Sequence, residues 1–121
     1  MDELIERLVA DTGVDRAAAE KAVGIIFDFL VKEAPADKVQ PLLAKLPGAE
    51  AVMQKAASEG ASGGGLMGGV MGAGMRMMSA GLSMGQVQSV TRQVIAYARE
   101  QAGEDAVGEI VAAIPGLAQF V

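Results

Sequence analysis

The sequence aligns with itself at an offset of 68 positions, without a gap, over about forty residues. Residues that break helices take part in the match: Gly13-Val14-Asp15 falls on Gly81-Leu82-Ser83, and Pro47-Gly48 falls on Pro115-Gly116. The apolar residues Val39, Leu42, Leu43 and Leu46 fall on Val107, Ile110, Val111 and Ile114. Because turn residues and apolar residues recur at one spacing, we predict an internal duplication of a helical unit.

Each copy carries the apolar spacing of three helices. In the first copy the helices are predicted over residues 4–12, over residues 16–33 and from Asp37 to Leu46, and residues 49–57 are compatible with one more short helix. We predict an all-α fold, a compact helical bundle of six to seven helices built from two three-helix repeats with pseudo-twofold symmetry.

The length of 121 residues predicts a single domain. Repeat one is expected at about 1–53, a Gly/Ser-rich linker at about 58–65 and repeat two at about 66–121. Residues 1–53 have a net charge of −4 and residues 68–121 a net charge of −1. The second repeat is therefore expected to have the less solvated surface.

Polar residues at the predicted helix starts are interpreted as caps. Asp15, Asp37 and Asp105 each precede an apolar helical run, where a carboxylate can accept from a free backbone N–H. Ser83 and Gln86 have the spacing of a capping box, and Leu82 and Val87 have the spacing of the hydrophobic staple that accompanies it.

The stretch SGGGLMGGVMGAGMRMM, residues 62–78, is predicted to enter the first helix of repeat two, at about residues 66–80. Four glycines inside this helix would destabilise it by roughly 4 kcal/mol relative to alanine, so close packing has to compensate. Gly68 and Gly72 stand four residues apart and would let another backbone approach closely. A second stripe consists of the methionines Met67, Met71, Met75 and Met78.

Three interpretations of this stripe stay open: a core helix that uses methionine as filler, a self-association or apolar-ligand surface, and a membrane-active helix. A nucleotide site is not indicated. Although residues 63–68 formally match G-x-G-x-x-G, no strand precedes them and the chain has no Gly-Lys-Ser/Thr.

The composition of the chain limits the catalytic, metal-binding and nucleic-acid-binding functions that it can have. The chain has no cysteine and no histidine, which removes thiolate metal sites and the commonest general base. Its net charge is −5, whereas a nucleic-acid-binding protein is expected to be basic. With carboxylates as the main candidate groups and no catalytic constellation among them, we expect no enzyme, no cofactor and no nucleic-acid partner. A weak Ca²⁺ site stays open at the acidic cluster Glu100, Glu104, Asp105 and Glu109.

The sequence shows neither the charge pattern of a signal peptide at its start nor an uncharged apolar run of transmembrane length. We therefore expect no transmembrane segment and a cytoplasmic location.

Two stretches of the sequence carry resemblances to known families. Residues 3–40, ELIERLVADTGVDRAAAEKAVGIIFDFLVKEAPADKVQ, resemble the helical start of the HU histone-like proteins, which implies a similar packing of helix pairs. The basic β-arms with which that family holds DNA are not present in the sequence. The whole chain resembles small bacterial proteins of the VcgC/VcgE type, a family of unknown function, in TGVD, LPGAEAV, GGGLMGG and GLSMGQV. That resemblance implies a bacterial origin and an all-α fold, and it supplies no activity, ligand or catalytic residue.

The leading hypothesis is a non-enzymatic protein-interaction or scaffold module that forms a homo-oligomer or binds a protein partner through Gly68, Gly72 and the four methionines of the stripe. The alternative hypothesis is a helical module for a lipid or another apolar ligand. Its lining would combine the same methionines with Phe27 and Phe29.

Overall fold

The computed structural model describes residues 2–46, 48–58, 69–114 and 116–120. These residues form seven α-helices and one short 3₁₀ helix, and the described segments contain no strand. The helices are α1 (Asp2–Thr12), α2 (Arg16–Glu33), α3 (Ala36–Ala44), α4 (Ala49–Ser58), α5 (Gly69–Ser79), α6 (Met84–Ala102) and α7 (Glu104–Ala113), followed by the 3₁₀ helix η1 (Leu117–Phe120). The predicted all-α helical bundle is confirmed.

Two long helices, α2 and α6, cross the middle of the bundle, and the shorter helices pack around them. Helix α2 contacts α1, α3, α4, α5 and α6, and α6 contacts α1, α5, α7 and η1 as well as α2. The sequence of α2 predicts this position, because its apolar stripe is wide enough to be buried on more than one side. Phe27 and Leu30 are fully buried at its centre. Each such side chain stabilises the fold by about 1.5–3 kcal/mol through its burial.

Helix positions recur along the chain at the predicted spacing. Helices α2 and α6 begin at Arg16 and Met84, and α3 and α7 begin at Ala36 and Glu104, in both cases 68 positions apart. Helix α1 packs against α6, and α5 packs against α2. Buried residues also recur at this spacing, among them the pairs Val14/Leu82, Ala19/Val87, Ala22/Val90, Ile26/Val94, Val39/Val107 and Leu46/Ile114.

The predicted capping box is present at the start of α6. The Gln86 backbone N–H donates to Ser83 Oγ at 3.2 Å, and the Ser83 backbone N–H donates to Gln86 Oε1 at 2.9 Å. The staple residues Leu82 and Val87 are both buried. The side-chain amide of Gln86 also donates to the Thr12 carbonyl at 3.1 Å, so the box ties α6 to the end of α1.

The predicted aspartate caps are wrong in part. Asp15 occupies the N-cap position of α2 but makes no side-chain capping bond. Asp37 and Asp105 lie in the first turns of α3 and α7, whose N-cap residues are Pro35 and Gly103. Proline presets the backbone there, and Gly103 adopts a positive φ of 96° that favours glycine. The two carboxylates instead face the positive end of the helix dipole.

Other predicted boundaries are shifted. The additional short helix is present as α4, and it includes Ser58, which the sequence assigns to the linker. The helix predicted over residues 66–80 is observed as α5 over Gly69–Ser79, and residues 66–68 and the rest of the linker lie outside the described residues. Among the described helices, none combines the length and the apolar character needed to cross a bilayer.

Candidate functional site

An apolar groove opens where α5, α6, α2 and η1 meet. We call it the methionine groove, and it encloses about 90 Å³. Its lining consists of Ile26, Phe29, Gly74, Met75, Met77, Met78, Met84, Val87, Thr91 and Leu117.

Three methionines at the groove are unusually exposed for apolar side chains. Met75 is 53% exposed, Met78 is 44% exposed and Met84 is 55% exposed, whereas Met77 is buried. Exposed apolar side chains grouped around one concavity are typical of a surface that contacts another apolar group. Methionine suits such a surface because its unbranched thioether adapts to irregular partners.

A polar contact beside the groove holds α5 on α2. Arg76 Nη1 donates to Asp28 Oδ2 at 3.3 Å, and Lys32 Nζ lies 3.0 Å from the same oxygen. Arg76 and Asp28 are each about one-fifth exposed, so the pair is partly shielded from water. Gly72 and Ala73 on α5 are buried, whereas a Cβ added at Gly74 would meet no atom within 4 Å. The missing side chain at Gly74 therefore leaves space in the groove.

The groove is apolar and its sequence neighbourhood is uncharged. No charged residue occurs between Met77 and Thr91. The one hydroxyl in the lining, Thr91 Oγ1, donates to the Val87 carbonyl at 2.8 Å within α6 and is satisfied there. An occupant of this groove would gain mainly dispersion contacts and desolvation of apolar surface.

The structure brings together part of the predicted site. Met75 and Met78 lie at the groove, and Gly72 is buried within α5. Met67 and Gly68 lie outside the described residues, and so does the side chain of Met71, although its backbone belongs to α5.

Of the two phenylalanines predicted to line a ligand site, Phe29 is at the groove, whereas Phe27 is fully buried in the core and is not part of the lining. Sequence reasoning also missed Met84. This residue begins α6, so it is separated by a turn from the methionine stripe of α5. Its place at the groove depends on how the two helices meet.

The residues 68 positions away in sequence from those of the methionine groove form a second site, around Tyr97, with a different chemistry. Arg7 lies over the ring of Tyr97, with 5.8 Å from its guanidinium carbon to the ring centroid. Its Nη1 donates to Glu100 Oε2 at 2.8 Å, and its Nη2 contacts Glu3 at 3.3 Å. The hydrogen bond and the charge of Glu100 raise the pKa of Arg7, and the hydrogen bond from Arg7 lowers the pKa of Glu100 from its ordinary value of 4.5.

The acidic cluster is divided between different partners. Glu100 contacts Arg7, and Glu109 accepts from Lys38 Nζ at 3.1 Å. Within the described part of the chain, no three acidic side chains converge in a way that could hold a metal ion. The cluster predicted from sequence is therefore not assembled into a cation site by the described residues.

The methionine groove is thus the concavity in which sequence prediction and observed geometry overlap most. Its lining is suited to contacts with an apolar group, and the sequence predicted only Met75, Met78 and Phe29 among its residues. Comparison with known proteins adds no relative from which a role could be transferred: no protein-family model, no curated protein and no solved structure matches the chain.

Proposed function

We propose that this protein is a non-enzymatic interaction module that self-associates, with the methionine grooves of two copies facing each other. The observation that carries the proposal is the group of exposed methionines, Met75, Met78 and Met84, around an apolar concavity with no charge in its lining. Exposed methionines elsewhere in helical proteins serve surfaces that adapt to a partner.

The volume of the groove favours a side chain over a small-molecule ligand. Pockets for drug-sized ligands enclose about 300–1,000 Å³, and an engineered cavity of about 150 Å³ takes up benzene. The methionine groove, at about 90 Å³, is smaller than either. Its size suits one inserted side chain, and a methionine is long and flexible enough to enter it.

Self-association is favoured because one surface carries both the exposed side chains and the concavity. In a twofold dimer the same patch of both copies meets, so a protruding Met84 of each copy could enter the groove of the other. The chain has a net charge of −5, and two copies would therefore repel each other at most orientations. The uncharged stretch from Met77 to Thr91 provides a face on which that repulsion is weak.

Sedimentation velocity over a concentration series tests the proposal. The wild-type protein is expected to shift from monomer to dimer. Met84→Glu is expected to raise the dissociation constant at least about tenfold, since its carboxylate would be desolvated in the apolar groove of the other copy. Val9→Glu is the matched control, because Val9 is also an exposed apolar residue, at 37%, but does not line the groove. A wild-type mass that stays monomeric at every concentration would contradict the proposal, as would equal effects of the two variants.

A second candidate function is binding of a lipid or another apolar ligand, and the entirely apolar floor around Phe29 and Ile26 supports it. Native mass spectrometry of gently purified protein would then show a bound adduct, and fatty acids would raise the melting temperature. A clean mass without an adduct, combined with no thermal shift, would count against this candidate.

The proposal includes the internal duplication, with repeat one near residues 1–53 and repeat two near residues 66–121. The recurrence of helix starts and buried residues at 68 positions supports it. A bacterial origin and a cytoplasmic location, both expected from the sequence, belong to the same proposal.

A further inference from the structure

The sulfur atoms of this chain are all thioethers, and three of the methionines that carry them are exposed at the methionine groove. The sequence has eight methionines and no cysteine, histidine or tryptophan, so methionine is the side chain that a mild oxidant attacks first. Met75, Met78 and Met84 are 44% to 55% exposed, and all three line the groove. The oxidisable side chains with the greatest exposure among the described residues therefore lie in the surface that we propose for self-association.

Burial distinguishes these methionines from their neighbour on α5. Met77 also borders the groove but is 3% exposed, whereas Met78, the next residue in the chain, is 44% exposed. An oxidant that approaches from the solvent reaches Met75, Met78 and Met84 before it reaches Met77. The fold therefore selects which methionines of the groove react.

A hydroperoxide is the class of oxidant that carries out this reaction without a further reactant. The thioether sulfur attacks one oxygen of the peroxide, so that a sulfur–oxygen bond forms and the oxygen–oxygen bond breaks. The proton of the attacked oxygen passes to the leaving oxygen, which departs as water or as an alcohol. Sulfur loses two electrons and the peroxide gains them, which yields methionine sulfoxide.

A sulfoxide is poorly suited to the environment that the groove offers. Its oxygen is a polar hydrogen-bond acceptor, whereas the lining of the groove is apolar. The hydroxyl in that lining, Thr91 Oγ1, already donates to the Val87 carbonyl at 2.8 Å. A sulfoxide enclosed between two copies would lose its hydrogen bonds to water and find no donor in the lining to replace them, which opposes association.

We propose that Met75, Met78 and Met84 form a modification site for hydroperoxides, and that their conversion to sulfoxides separates the two copies of the protein. This inference rests on the proposed self-association through the methionine groove and adds its regulation. In the dimer the three side chains face the other copy, so the monomer is the form that reacts, and oxidation keeps the chain monomeric. The modification is reversible, because methionine sulfoxide reductases restore the thioether.

Peptide mapping by mass spectrometry tests the site itself. The full-length folded protein is treated with hydrogen peroxide at a concentration below its dimerisation midpoint. Met75, Met78 and Met84 are each expected to gain one oxygen atom at least about tenfold faster than Met77, in keeping with an exposure of 44% to 55% against 3%. Oxidation of Met77 at the same rate as the other three would overturn the proposed site.

Sedimentation velocity before and after oxidation tests the consequence. The oxidised wild-type protein is expected to have a dissociation constant raised at least about tenfold. Treatment with methionine sulfoxide reductase and a thiol reductant should restore the original value. The helix content measured by circular dichroism should stay unchanged throughout, which places the effect at the interface and not on the fold.

Two variants assign the effect to the groove. Met75→Leu/Met78→Leu/Met84→Leu keeps apolar side chains of similar volume that hydrogen peroxide does not oxidise. Its dissociation constant, whatever its value, should be the same before and after treatment. Met53→Leu is the matched control, because Met53 is half-buried on α4 and does not line the groove. This variant should respond to peroxide as the wild type does.

Different results would contradict the two proposals. A wild-type mass that stays monomeric at every concentration refutes self-association, whereas the order of oxidation is still read from the monomer. A wild-type dimer that persists after all three methionines are oxidised overturns the present inference. So does an equal response to peroxide in the triple leucine variant and the wild type, or a loss of the dimer that accompanies a loss of helix content.

Discussion

The methionine groove and the site around Tyr97 contain residues that lie 68 positions apart in the sequence, but their chemistry is opposite. At the methionine groove, Met75 and Met84 line the same concavity as Phe29 and are more than half exposed. The residues 68 positions away from these three are Arg7, Arg16 and Tyr97. There, Arg7 covers the aromatic ring and pairs with Glu100, and Arg16 lies 3.2 Å from Asp2.

This difference shows that the arrangement of the helices does not by itself require apolar side chains around such a groove. With arginines at the two rim positions, the surface is charged, hydrogen-bonded and compatible with water. With methionines there, the surface is left apolar and without a partner in the described residues. The apolar rim is therefore a property of these side chains, which supports a role in association.

A second difference concerns what covers the long helices. Helix α4 packs on α2. The element that follows α7 and contacts α6 is the short 3₁₀ helix η1. Residues 68 positions apart on the two long helices also differ in burial: Ile25 is fully buried, whereas Gln93 is half-buried and donates to Asp11 of α1 at 2.9 Å. An apolar residue thus stands at the buried position, and a hydrogen-bonded polar residue stands at the partly exposed one.

The largest expected effect concerns these two positions. Ile25→Ala should lower the free energy of unfolding by about 2–5 kcal/mol, since it removes a fully buried side chain and leaves a cavity. Gln93→Ala should lower it by about 1 kcal/mol or less, because it removes one exposed hydrogen bond. Urea denaturation measures both values. Equal losses at the two positions would mean that Ile25 is not buried as described.

A smaller effect is expected at two glycines of α5. Gly72, which stands 68 positions after Leu4, is buried, so Gly72→Leu should destabilise the fold by about 1–3 kcal/mol through overpacking. Gly74→Ala should stabilise it by about 0.5–1 kcal/mol, because the added Cβ meets no atom within 4 Å and alanine favours the helix. Thermal melts of both variants test the pair. If Gly72→Leu melts like the wild type, α5 is not closely packed at that residue.

The smallest effect concerns the charged site. Arg7 lowers the pKa of Glu100 in the folded protein, so the pair contributes stability above the ordinary glutamate pKa of 4.5, and this contribution is lost as the pH falls through the lowered value. Glu100→Gln should therefore lower the melting temperature slightly at neutral pH and not at all at a pH below both values.

Glu6→Gln is the control for that measurement, because Glu6 is an exposed residue on the same helix as Arg7. At neutral pH the melting temperature of this variant should equal that of the wild type. A difference between Glu100→Gln and the wild type that grows as the pH falls would contradict the assigned direction of the pKa shift.

Much of the fold could be predicted because its signals are local. The bounds of α2 follow from an apolar stripe that ends before Pro35, and the capping box at Ser83 follows from two residues three apart. The error at Asp37 is also local: proline and aspartate both favour helix starts, and Pro35 takes the cap position.

The candidate site was predicted only in part because its geometry depends on distant contacts. Met75 and Met78 lie on the predicted helix, but Met84 reaches the groove through the crossing of α5 and α6. The pairing of Arg7 with Glu100 joins residues 93 positions apart, and no periodicity in the sequence indicates it. The sequence shows the methionine stripe, but nothing in it shows which side chains lie beside an aromatic ring.

The most direct test of self-association through the methionine groove is a concentration series of methyl NMR spectra, with all eight methionine methyl groups labelled with ¹³C. We predict that the signals of Met75, Met78 and Met84 shift together, with one midpoint that matches the dimerisation measured by sedimentation. Met53, half-buried on α4, should stay unchanged. Constant signals from the three groove methionines across a range in which the mass doubles would place the interface elsewhere and contradict self-association through this groove.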